Sequence, residues 1–513
     1  MIGSQHMIMD TLGRFMDEYI FFTFPVALIA SVALFKRWRL AVLTIILLVL
    51  FEGALRKWVF PSLQAQIYFI KDWLLIVALA GFIAHARDRG SHEGQMTGLK
   101  VLLLVSLVYF SLQIANPNSP TPLVGLLGLK AYMLYVALLL MIPYVFQSRA
   151  DLDRKLKRLM LIMIPIALLG LMQFALPASH WLNTYVQQDA EAAISVSEFG
   201  TGGRVRAAGT FSYIGGFGTF VVTAFNLAAA YALTIKGNLR SNWIAYALLL
   251  SSGMAIFTTG SRWVLLGTLG TLPFVLFLVM RSGLISSQLF LRLGGASLLM
   301  TAAITLFAGD AFDATIWRVT NADSNVGRAL SPLTELQQAF EVSPVFGTGI
   351  GTNSNGSWTV AGAKSLYDAW WLDGHLFEVE TARIMQEVGL FGFLLVYVVR
   401  LTMLMWAIKM VMRLRTPLYK ALSACIAAFF LLHMGLFVIH NPTAGVFYWS
   451  AAGLLFAMYR LDSESTHRVA PSPQTRDGRR SAFAQPVVSL RGPVRKFMPP
   501  PTYIIRRLRS TSC

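Results

Sequence analysis

Cysteine is nearly absent: Cys425 lies inside an apolar run and Cys513 is the last residue, and no others occur. Two such positions exclude a disulfide framework and a cysteine metal site. No H-x-x-x-H pair or Cys/His cluster appears either, so no metal is expected. Charge is scarce as well, with Asp, Glu, Lys and Arg making up 13% of 513 residues. Hydrophobic residues make up 56%, and mean hydropathy is +0.59. That balance excludes a soluble globular protein of this length and points to a bilayer as solvent. The short alternating segments of a β-barrel are missing. So is the charged start, short apolar stretch and small-residue site of a removable signal peptide, and the first apolar run, Tyr19 to Phe35, is expected to stay in the membrane.

What is present is a series of apolar runs, most of them about 16 to 24 residues, enough to cross a hydrocarbon core as helices that satisfy their own backbone. They fall near 19–35, 40–51, 66–84, 101–115, 123–146, 159–176, 213–234, 242–258, 263–280, 286–308, 384–408, 421–439 and 444–459. The expected fold is therefore all-α, a polytopic transmembrane bundle of about thirteen helices, twelve to fourteen at the limits. The short second run, and the third with Lys71 and Asp72 near its start, leave a re-entrant or interfacial element open there.

The formal charge of +18 invites a nucleic-acid reading, but the basic residues sit in short loops and in the tail. Alternate loops carry Lys36 to Arg39, Arg149 to Arg158, and Lys409 to Lys420, which places them in the cytoplasm. The other set faces outward: the charge-free Asn116 to Pro122, the 177–212 loop, Gly260 to Arg262, one large polar loop over 309–378, and His440 to Pro442. The C-terminus is then cytoplasmic, in a protein of inner-membrane type. The transmembrane domain spans 1–460; residues 461–513, with ten Lys/Arg against three acidic residues, read as a Pro-rich basic tail without a core, lying near anionic lipid or docking a partner.

Polar motifs gather on the outward side. Arg204, Arg206 and Gly209 to Phe211 precede the seventh run, and Thr259-Gly260-Ser261-Arg262 forms the next outer corner. The long loop holds Arg328, Pro344 to Gly351 and Asp373-Gly374-His375 ahead of Glu387. An arginine at a segment end can simply snorkel, yet three in separate outer loops suit a phosphate-bearing anion, which guanidinium meets in bidentate geometry. His375 suits proton transfer from a sugar hydroxyl, against the plain alternative of a hydrogen-bonded loop histidine. Trp370 and Trp371 offer faces for sugar rings or belong to an interfacial belt; Asp373 offers hydroxyl contacts. The glycine run Gly347 to Gly351 lacks the Lys-Ser/Thr of a nucleotide loop, so its glycines read as a tight backbone turn and no cofactor is expected. Ion pairing among Glu52, Arg56, Lys71 and Asp72 is the expectation for the remaining polar cluster.

The order of these pieces resembles the bacterial O-antigen polymerase and O-antigen ligase superfamily: Arg206 to Phe211, Thr259 to Arg262, Arg328 with Pro344 to Gly351, and His375 with Glu387 to Gly392. Leu376 stands where that family commonly has Asn after the histidine. The resemblance implies a membrane glycosyltransferase of GT-C-like architecture, inverting and metal-independent, using polyprenyl-pyrophosphate-linked glycans as donor and acceptor. On this reading Arg206 and Arg262 stabilise the departing pyrophosphate with Arg328, Arg204 and Glu387 in the substrate site, and His375 activates the acceptor. The Glu52 to Trp58 element leans towards an exopolysaccharide polymerase, with a chain-length regulator and other assembly proteins as partners. A ligase, a flippase or transporter built around Lys130 and Arg400, and a non-enzymatic envelope subunit stay open.

Overall fold

The computed structural model describes residues 30–85, 97–183, 198–199, 204–234, 242–284, 302, 305–306, 309–320, 325–354, 356–363 and 368–467. These are mostly helical, joined by turns, with a two-residue antiparallel ribbon pairing β1 (Glu198–Phe199) with β2 (Arg204–Val205). Among the described residues, eight helices are long and apolar enough to cross a membrane: α1 (Trp38–Val59), α2 (Pro61–Ala84), α3 (Thr97–Ala115), α4 (Pro122–Tyr144), α5 (Arg149–Ala175), α6 (Ile214–Thr234), α8 (Arg262–Arg281) and α11 (Glu380–Arg413). Two shorter apolar helices, α7 (Trp243–Thr258) and α12 (Pro417–Leu432), join them, and α13 (Pro442–His467) closes the bundle. The chain is a helical, multi-pass membrane protein by these lengths and compositions.

The second and third apolar runs both form helices long and apolar enough to span a membrane: α1 has 22 residues and α2 has 24. Most of the runs at 286–308 and 19–35 lies outside the described residues, as do residues 468–513 of the basic tail. The first residues expected in that tail instead complete α13. Asp462 accepts from Arg149 at 2.7 Å, from the Arg415 amide at 2.6 Å and from the Thr416 hydroxyl at 2.6 Å. A carboxylate with three donors, from the start of α5 and from the turn before α12, anchors the helix end, which explains why the helix outlasts its apolar stretch.

The large polar loop is not featureless. It contains α9 (Gly309–Thr320) and α10 (Asn325–Val342), and α10 packs along the start of α11 through Ala339, Phe377, Ala382 and Met385. Glu335 of α10 accepts the amides of Glu378 and Val379, 2.7 and 3.0 Å away, satisfying donors just ahead of α11 that have no helical acceptor. Within the bundle, Phe211, Phe217 and Phe220 form one ring cluster; Gly170 and Gly209 let two backbones reach Phe217, where a Cβ would collide.

Helix α11 is broken at Gly389, with φ 62° and ψ −172°. An L-residue is strained there, and an added Cβ would also strike the Val345 carbonyl. Gly270 of α8, by contrast, has open space around it. Gly389→Ala is expected to lower stability by about 1–3 kcal/mol or more, whereas Gly270→Ala should be neutral or slightly stabilising. Thermal unfolding of both variants in detergent checks this; equal midpoints would contradict the role of the break.

Candidate active site

The break in α11 strands backbone carbonyls, and the glycine run fills it. The amides of Thr348 and Gly349 donate to the carbonyls of Gln386 and Glu387 at 2.8 and 2.9 Å, and Leu390 donates to Val345 at 3.3 Å. Gly347, Gly349 and Gly351 all have left-handed φ, at 76°, 103° and 91°. Gly351 also passes so close to Val124 and Gly128 of α4 that a side chain on it would collide. On the other flank, Gln113 and Asn116 donate to the Phe346 carbonyl at 3.0 and 3.1 Å, and Asn116 and Asn118 donate to that of Gly347 at 3.2 Å. The charge-free segment after α3 thus serves as a polar clamp on the glycine run.

Beneath this clamp lies a buried charge network. Glu380 accepts the amides of Val438, Ile439 and His440 at 2.7–3.0 Å and pairs with Arg400, whose other nitrogen donates to the His433 carbonyl at 3.1 Å. His440 lies between two carboxylates, 3.4 Å from Glu380 and 3.2 Å from Glu387. Glu387 also accepts from the Tyr132 hydroxyl at 2.7 Å and the Asn353 amide at 2.6 Å. Burial works against a charged His440 imidazole, but Glu387 and Glu380 outweigh it and raise its pKa to about 9. The sequence marks His440 only as part of an outward corner and gives Glu380 no role. Glu380, Glu387 and Arg400 share α11, but their spacings are not those of neighbouring helical pairs and His440 comes from the corner ahead of α13, so no local pattern links them.

Glu387 and Trp371, read as substrate contacts, are both buried, at 0% and 5% exposure. Glu387 is consumed by the network, and Trp371 donates to the Thr352 carbonyl at 3.2 Å inside a small core with Ala369, Leu372 and Leu376. Trp370 points the other way, 71% exposed. Asp373 is exposed and holds a left-handed φ of 48°, which turns the chain so that His375 is also exposed. Gln386 donates to the His375 carbonyl at 3.1 Å, and the His375 ring stacks on Phe377 with centroids 6.3 Å apart. Arg383, which the sequence reading passed over, donates to the Phe377 carbonyl at 2.7 Å and lies over the Phe437 ring.

The arginine motifs form a second group. Arg206 donates to the Thr259 carbonyl at 3.0 Å, and the Ala207 amide to that of Thr258 at 2.9 Å, so the two outer motifs are stitched together. The Thr259 hydroxyl accepts from the Ser261 amide, Gly260 takes a left-handed φ of 56°, and Arg262 opens α8. Its first turn has no side-chain cap at Ser261, so its backbone donors and dipole add to the arginines' attraction for an anion. Gln173 of α5 fixes the Arg206 turn by accepting from Ala208 and Gly209 at 3.1 and 2.7 Å and donating to the Gly209 carbonyl. A lone glutamine near the end of an apolar run was its only sequence signal. The side chains of Arg204, on β2, and Arg328, in α10, lie outside the described residues.

The cluster on α1 and α2 abuts the same turn. Lys57 donates to the Gly209 carbonyl at 2.7 Å and Arg56 to the Ser212 hydroxyl at 3.0 Å. Glu52 pairs with Lys71 at 2.9 Å and Arg56 at 3.6 Å, as expected, whereas Asp72 takes Lys130 of α4, 2.6 Å away. Both residues that a transporter reading relied on, Lys130 and Arg400, therefore have carboxylate partners. No metal-binding group of three or more His, Cys, Asp or Glu occurs among the described residues. Comparison of the sequence with protein-family models and with curated proteins finds no match.

His440 makes stability depend on pH. Its folded pKa of about 9 exceeds the unfolded value of about 6.5, so its contribution is complete below the unfolded value and is lost as pH rises through about 9. Thermal midpoints of the purified protein in detergent should fall between about pH 7 and pH 10. His440→Gln should flatten that slope while lowering the midpoint near pH 7; an unchanged slope would exclude the imidazole as its source.

Proposed function

We propose that the chain is a glycosyltransferase of the bacterial inner membrane, with a cytoplasmic C-terminus. It polymerises polyprenyl-pyrophosphate-linked oligosaccharide units into a surface or secreted polysaccharide. The observation that carries this reading is the joining of the Arg206 turn to the Thr259–Arg262 corner, beside an uncapped helix start. Two guanidinium-bearing segments held by backbone hydrogen bonds are preorganised for a pyrophosphate, and preorganisation is what makes such charge effective in a transition state. The exposed His375, on a turn held by Gln386, supplies an imidazole that a sugar hydroxyl can reach.

In the proposed reaction the acceptor hydroxyl attacks the anomeric carbon of the donor. The bond from that carbon to the pyrophosphate oxygen breaks, and its electron pair leaves with the pyrophosphate. His375 takes the hydroxyl proton; Arg206 and Arg262, assisted by Arg328 and Arg204, meet the charge that builds on the leaving group. Trp370, large and exposed, suits the apolar face of a sugar ring, while Trp371 and Glu387 position the loop rather than touch the glycan. A ligase would use the same donor chemistry with another acceptor, and no observation favours it.

Arg262→Ala and His375→Ala should each lower polymer formation by about 100-fold or more at normal membrane levels. Trp370→Ala should weaken acceptor use, with protein abundance unchanged. Polysaccharide length on gels and transfer assays with a purified lipid-linked repeat unit check these outcomes. Full-length polymer from both the Arg262 and His375 variants would refute the assignment.

A further inference from the structure

Helix α10 carries more apolar surface than α11 covers. Ala339 and Leu336 pack on Phe377, Ala382 and Met385, yet Leu333 stays 66% exposed and Phe340 59%. At i and i+7 these two stand almost in line, about 20° apart around the helix. Thr334, Gln338 and Glu341 are exposed on a polar stripe roughly a quarter turn or more further round. The helix therefore has three faces: one packed on protein, one polar, and between them one of large apolar side chains left exposed. That is the pattern of an amphipathic helix at a membrane interface.

Depth along the bundle says what meets that face. Phe393, just past the Gly389 break in the arm of α11 that crosses the membrane, packs in the same cluster as Ala339. At ~1.5 Å per residue it sits about 6 Å along the crossing arm from the break. Glu380 pairs with Arg400, further along that arm, and the Pro332 carbonyl of α10 accepts from the Thr381 hydroxyl at 3.3 Å. The part of α11 before the break thus runs back beside the crossing arm, and α10 runs with it. Continuity agrees with depth. Val345 and Phe346, which follow α10, are exposed, and the Phe346 ring stacks on Phe391 with centroids 6.0 Å apart. Phe391 heads an exposed stripe through Leu394, Val398 and Leu401, the lipid-facing side of a crossing helix.

We infer that α10 is an interfacial membrane anchor, laid with Leu333 and Phe340 among the acyl chains of the leaflet that α11 meets at its break, and with Thr334, Gln338 and Glu341 towards water. A second copy or another protein on this face would have to displace lipid from the adjoining α11 stripe as well, whereas acyl chains cover both surfaces at once. The segment expected as a polar outer loop is thereby pinned to the bilayer. Glu335 holds the amides of Glu378 and Val379, so it passes that anchorage to the chain just after His375. The anchor is independent of the chemistry proposed for that turn.

The test uses the full chain in phosphatidylcholine nanodiscs, with Cys513→Ser as the background and the buried Cys425 left in place. Nitroxide labels go on Leu333→Cys, Phe340→Cys and Gln338→Cys, with Leu394→Cys as the lipid-facing standard. Power saturation compares collisions with oxygen, which partitions into acyl chains, and with a nickel chelate, which stays in water. The oxygen-to-nickel ratio at 333 and 340 should match that at 394 and exceed that at 338 several-fold. Nickel access at 333 and 340 equal to that at 338 would mean a helix in water. Little access to either reagent would mean a protein cover, whether a second copy or another partner. Either result overturns the inference. Should the labels perturb α10, the unsubstituted chain decides: phosphatidylcholine carrying a diazirine in its acyl chain should tag Leu333 and Phe340 as it tags Leu394, and tagging of Leu394 alone overturns the anchor.

Discussion

The interruption of α11 at Gly389 is the constraint on which the loop end of the bundle depends. A helix broken inside an apolar environment leaves carbonyls and amides that need partners, and each unsatisfied group there is expensive. The glycine run from Gly347 to Gly351 supplies them, and it can do so only because positive φ and the lack of side chains let it lie between α11 and α4. Once that run is placed, Thr352 and Asn353 follow, Trp371 has its acceptor, and Gln386 is free to hold the turn that exposes His375.

The buried carboxylates extend the same logic. Glu380 collects three backbone amides and an arginine, and Glu387 collects a tyrosine, an amide and a histidine. Breaking such an arrangement by removing one partner typically costs about 3–5 kcal/mol, because the remaining charge stays buried. The network therefore gives rigidity to the start of α11, next to the turn that carries His375, while the chemistry proposed for the site needs His375 exposed. Function and stability are divided between neighbouring residues: Trp370 outward and Trp371 inward, His375 outward and Glu387 inward.

Motif by motif, the sequence was legible where the physics is local. Hydropathy located seven of the described apolar helices to within about five residues at both ends; it ran past the end of α12 and fell short at the start of α5, at the end of α13 and at the end of α1, where Arg56 and Lys57 truncate the apolar signal although both side chains are buried in ion pairs and hydrogen bonds. The glycine run was read as a tight turn, and it is one. What escaped were the partnerships: Asp72 with Lys130, Glu380 with Arg400 and His440, and Gln173 with the Arg206 turn. Those pairs are separated by tens of residues and carry no periodic signature.

By itself the sequence determined that the chain enters a membrane as apolar helices, because bilayer thickness and backbone satisfaction constrain length and composition directly. It also marked where polar chemistry gathers, since charge near hydrocarbon is too costly to be incidental. Only the tertiary structure decided which of those polar residues face outward and which are spent inside. That choice turns on long-range hydrogen bonds and ion pairs in a low-dielectric interior, where a group's role depends on what the fold brings beside it.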